Sequence, residues 1–135
     1  MRISYENRNI IEQMQIHDSE FTGFAYDYER RQITMSCNNV FLKRSYVLVF
    51  ENVVLTHLQS CSFWHGGNSI MWINVIEDNE HLCDLYHIQN SNPELYCGSQ
   101  LDKGINYITM ELTINSGDTL LISCESLNYL ESYSA

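Results

Sequence analysis

Basic residues almost vanish from this chain after residue 44. Up to that point six acidic side chains meet six basic ones; beyond it eleven acids are opposed by Lys103 alone, which gives 135 residues a formal charge of −10. Nucleic acid is excluded as a partner, because its phosphates are met by clustered Lys and Arg. A basic protein partner is favoured instead, since an acidic surface speeds its approach and selects for it.

Proline is nearly absent too, occurring once at Pro93, and glycine occurs six times. Without a Pro- or Gly-rich linker, an internal repeat or a low-complexity tract, the chain reads as a single β-rich domain over 1–135. No apolar run approaches the ~18 residues of a bilayer-crossing helix. The opening MRISYENRNIIEQMQ is too polar for a signal-peptide core. A cytoplasmic protein without membrane contact is expected. The cysteines at 37, 61, 83, 97 and 124 are odd in number and include no CxxC. They read as buried, reduced thiols rather than a disulfide framework.

Patterned apolar residues fill the space between these absences. Ile10, Ile11 and Met14 fall at helical spacing, which predicts a short helix over 7–15. From Ser19 the period becomes two: Phe24, Tyr26 and Tyr28 share a face, and Ile33, Met35 and Cys37 alternate after a polar turn at 29–32. YVLVF at 46–50 reads as a strand covered on both faces. Strands at 53–64 and 69–76 flank Gly66-Gly67, which predicts a two-residue hairpin turn placing Cys61 opposite Trp72. Leu82, Leu85, Tyr86 and Gln89 form a helical stripe within 77–90, with Asp78 as N-cap. The terminal hairpin is the clearest signal. Ile108, Met110, Leu112 and Ile114 alternate, Ser116-Gly117-Asp118 turns, and Leu120, Ile122 and Cys124 return. The fold class expected is mainly β, an antiparallel sandwich or open barrel with one or two short helices.

Candidate chemistry is sparse. His57, Cys61 and His65 recur every four residues, but four residues of strand span ~13 Å, too far for one zinc ion or one thiolate–imidazole pair. Cys83 and His87 share a helical face and supply only two ligands. Adjacent His17 and Asp18 point opposite ways if the chain is extended; Asp18 or Ser19 suits a local side-chain turn that fixes entry to the first strand. No cofactor, metal or catalytic residue is expected.

IHDSEF at 16–21, the Gly-Gly turn after Phe63-Trp64, and SGDTLLISCESL at 116–127 together resemble small uncharacterised bacterial proteins. These open on an H-D-S step and close on an S-G-D-x-L-x-I-x-C-E hairpin. The matching positions His17, Asp18, Ser19, Gly117, Asp118, Cys124 and Glu125 read as structural. For some such proteins the resemblance implies a role as immunity partner to a secreted toxin.

The leading expectation is a non-catalytic, acidic protein-binding domain, an immunity protein against a basic toxin, with Glu77, Asp78, Glu80 and Asp84 as the docking face. The alternative is a module for a carbohydrate or other small ligand, with His57, Gln59, Trp64, Trp72 and Asn74 lining a groove. A Cys-dependent enzyme stands third. An uncovered sheet edge offers a route to an oligomer.

Overall fold

The computed structural model describes residues 1–14, 16–59, 69–77, 80–91 and 104–133. Its strands form one antiparallel sheet. They are β1 (Arg2–Ile3), β2 (Glu20–Asp27), β3 (Gln32–Asn39), β4 (Arg44–Gln59), β5 (Ile70–Val75), β6 (Ile108–Ile114) and β7 (Thr119–Tyr133), with a 3-10 helix at Tyr5–Gln13 and an α-helix, α1, at Glu80–Ser91. The spatial order is β2-β3-β4-β7-β6-β5, and β1 pairs with β7 off this path. The two ends of the path meet at one bridge, Glu20↔Ser69, reinforced by backbone bonds from Asp18 N–H to the Ile70 carbonyl (2.9 Å) and from Ile70 N–H to the Ser19 carbonyl (2.8 Å). The result is an open barrel, mainly β as its alternating sequence implies.

Strand β3 shows the expected alternation, burying Ile33, Met35 and Cys37. YVLVF departs from expectation. Tyr46, Leu48 and Phe50 are fully buried while Val47 and Val49 are half-buried, so one face is covered rather than two. The doubly covered strands are β6 and β7. Thr109, Thr113, Leu121 and Ser123 are buried along with Met110, Leu112, Leu120 and Ile122. Buried hydroxyls there need partners, and Thr109 and Ser123 supply each other across the ladder at 2.7 Å.

The hairpin expected around Gly66-Gly67 lies mostly outside the described residues, and so does the proposed packing of Cys61 on Trp72. Its described flanks correct the pairing that would continue it. Leu58 opposes Leu120 and Gln59 opposes Thr119, whereas Asn74 opposes Glu111 and Val75 opposes Met110. β4 and β5 are thus separated by two strands. β7 is long enough to run along the whole of β4, from Arg44↔Tyr133 to Gln59↔Thr119. That ladder takes the edge of β4 that the expected pairing would give to β5.

The Ser-Gly-Asp turn forms as read, with Gly117 at φ +89° and the Ile114 N–H bonded to the Asp118 carbonyl at 3.1 Å. The N-terminal helix is 3-10 and begins at Tyr5 rather than residue 7. It seats Ile11 in the core, with Ile10 and Met14 packed against it. In α1 the predicted stripe of Leu82, Leu85, Tyr86 and Gln89 is half-buried while Glu80, Cys83, Asp84 and His87 are exposed. Asp78, its expected N-cap, lies outside the described residues.

Candidate functional site

The sheet closes at one end through Glu20↔Ser69, and a groove lies at the other. Its first wall comes from β2. Register places Phe24 and Tyr26 on the face of Met35 and Ile33, but β2 runs past the shelter of its neighbours as it nears its turn. Tyr26 is 66% exposed and Tyr28 77% exposed. The turn is fixed by Asp27, whose Oδ1 accepts the Arg30 N–H at 3.1 Å, and by Arg31 in the left-handed region at φ +51°.

The second wall comes from a break in β4. Asn52 sits at φ +50°, a conformation Asn tolerates better than most residues. Its Nδ2 donates to Glu125 Oε2 at 3.0 Å. Register then slips between Val53 and Leu55, the signature of a bulge, which bends a strand and increases its twist. The two walls are tied together where the Val53 N–H donates to the Arg31 carbonyl at 2.8 Å. The space between them is about 840 Å³, lined by Phe24, Tyr26, Asp27, Tyr28, Glu29, Arg31, Gln32, Ile33 and residues 53–56.

None of the docking or ligand-binding residues expected from sequence lines this groove. His57, Leu121, Glu111 and Asn74 oppose one another in a row across four strands; Gln59, Thr119, Thr113 and Trp72 form the next row. Register thus places His57 and Asn74 at the two ends of one row and Trp72 at the end of the next. Their rows are closed at the centre, where Leu121 and Thr113 are buried, and the outer strands stand ~14 Å apart at three strand spacings. Trp72 is 45% exposed, and His57 and Asn74 are exposed; Trp64 lies outside the described residues.

The acidic docking residues are only partly free. Glu77 accepts two bonds from Arg8, at 3.1 and 3.3 Å, so folding brings it a base that its neighbours in sequence do not supply. Glu80 and Asp84 are exposed on α1.

His17 and Asp18 correct an expectation. The chain is not extended there: Asp18 takes φ +65°, and the turn brings His17 Nδ1 to 3.0 Å from Asp18 Oδ2. Both side chains are largely exposed, and the turn is held by backbone bonds, including Ser19 N–H to the Ile16 carbonyl at 3.0 Å. The Ser19 hydroxyl is buried without a partner, so Ser19 does not make the expected side-chain turn, and the Asp18 carboxylate faces His17.

Of the described thiols, Cys37 and Cys124 are buried as read, but Cys83 is exposed on α1. Burial pushes Cys37 and Cys124 up to about 12, the latter with help from Glu51 and Glu125. Neither thiol is a nucleophile at neutral pH. Among the described residues no three His, Cys, Asp or Glu side chains are grouped to hold a metal ion. None of the helices described is long and apolar enough to cross a membrane.

The sequence matches no family model and no curated protein. The groove was not foreseen because it depends on a bulge and on where the sheet stops closing. One signal did precede it: Phe24, Tyr26 and Tyr28 run at period two straight into a charged turn, with more aromatic surface than one covered face requires.

Proposed function

We propose that this protein is a non-catalytic binding domain for a basic protein partner, in the manner of an immunity protein that neutralises a basic toxin. The observation that carries this reading is the tip of the β3–β4 hairpin. Val40, Phe41 and Leu42 are 60%, 89% and 50% exposed. They are held out by a formed turn rather than a slack loop: Asn39 is buried and its Oδ1 accepts the Leu42 N–H at 3.0 Å, while Lys43 takes φ +52°. Apolar side chains presented together in this way mark a contact surface.

Charge supplies the partner's chemistry. Arg8, Arg30 and Arg44 are paired with Glu77, Asp27 and Glu131, which leaves the acidic excess to the remaining carboxylates, Glu80 and Asp84 among them.

The test pairs the purified protein with the basic product of a gene adjacent to its own. Affinity is expected to fall about tenfold or more with Phe41→Ala and to decline steeply as salt rises. Glu80→Gln with Asp84→Asn is expected to slow association. Unchanged binding by the Phe41 variant, or salt-independent binding, would count against the proposal. Light scattering on the same samples reads out any pairing of a second copy along β2 or β5.

A further inference from the structure

We infer that the groove between residues 24–32 and 53–56 is a binding site for a neutral saccharide. Three properties of its walls carry the inference. The first is aromatic surface. Tyr26, near the end of β2, and Tyr28, in the turn that follows, are both largely exposed, and half-buried Phe24 lines the same groove. A flat apolar ring with a polar tip, fixed by only two torsions, suits a ligand that is apolar on its faces and polar at its rim. The C–H faces and equatorial hydroxyls of a pyranose have that form.

The second property is the polar complement. Asp27, Glu29, Arg31 and Gln32 stand on the same walls. They combine carboxylate acceptors, a guanidinium fork and an amide that both donates and accepts, the set that neighbouring hydroxyls engage in pairs.

The third is charge. The chain carries −10 overall, yet the groove wall holds two acids and one base, and one of those acids, Asp27, already lies 3.8 Å from Arg30. A cationic ligand gains little there, and an anionic one meets the field of the whole molecule. A neutral ligand is left. The volume of about 840 Å³ lies within the range of roughly 300–1,000 Å³ typical of small-molecule sites and has room for a short oligosaccharide. This site shares no residue with the rows of His57 and Trp72, and it is independent of the protein-partner reading.

The deciding experiment is a ¹⁵N NMR titration with cellotetraose, maltotetraose and N-acetylchitotetraose, each taken to about 10 mM to reach millimolar dissociation constants. At least one sugar is expected to shift amides of 24–32 and 53–56, with an affinity that does not change between about 0.05 and 0.5 M NaCl. Tyr26→Ala and Tyr28→Ala are each expected to weaken that binding about tenfold or more while leaving the rest of the spectrum in place. Trp72→Ala is expected to leave it intact. Absence of shifts with all three sugars overturns the proposal, as do shifts confined to other strands or full affinity in both tyrosine variants. Binding of an extended peptide along residues 53–56, without any response to sugar, also overturns it.

Discussion

Cys37 and Cys124 show how burial sets chemistry one residue at a time. An unfolded thiol titrates near 9.0, whereas these two are raised to about 12 by desolvation. The native state therefore keeps protons that the unfolded chain releases above pH 9. Their contribution to stability is complete below that pH and is lost as pH climbs toward 12, at ~1.4 kcal/mol per pH unit for each thiol. Denaturant midpoints measured from pH 8 upward should fall accordingly. Cys37→Ala and Cys124→Ala should flatten that slope even where they lower stability overall. Native thiol labelling gives a second check: in a Cys61→Ser, Cys97→Ser background, Cys83 should react readily and the two buried thiols only on unfolding. Gly117 makes a similar point about backbone. At φ +89° an added Cβ meets open space, so Gly117→Ala should cost about 1 kcal/mol through conformation alone.

Elements were legible in proportion to how local their cause is. Alternation in β3, the turn at Ser116-Gly117-Asp118 and the half-buried stripe of α1 each follow from residues a few positions apart. YVLVF misled because Val47 and Val49 are apolar yet half-buried, so composition hid an alternation that geometry enforces. In β6, Thr109 and Thr113 alternate with the apolar residues and are buried with them. Period two reports which residues share a side, but not what covers that side. The Thr109–Ser123 pair is the cost of that burial. Thr109→Val should destabilise by ~1–3 kcal/mol, because it removes the buried hydrogen bond between the two hydroxyls. The double variant Thr109→Val, Ser123→Ala should recover part of the loss, a coupling that a double-mutant cycle measures.

At the scale of the whole molecule, little of the site could be read in advance. A linear reading treats neighbouring strands as partners, which suits β2, β3 and the β6–β7 hairpin but fails for β4, whose second ladder is formed with a strand some seventy residues later. The groove inherits that difficulty, since its walls are a hairpin end and a bulge joined by the Val53–Arg31 bond. Val53→Pro removes that donor, so it should loosen the groove and lower stability by ~1–3 kcal/mol. Amide exchange at residues 28–32 should rise in that variant while β6 stays protected. The acidic excess is likewise a property of the whole. Arg8, Arg30 and Arg44 are spread through the first third of the sequence, yet folding sets two of them against distant acids, Glu77 and Glu131.

β7 lies between β4 and β6 and also receives β1, yet it is the last of these strands to leave the ribosome. Until residues 119–133 emerge, β4 carries Tyr46, Leu48 and Phe50 along an edge with nothing to pair to, the state most exposed to aggregation during synthesis. Nascent chains stalled before residue 119 should therefore remain protease-sensitive and bind chaperones, and protection should arrive only once β7 clears the exit tunnel.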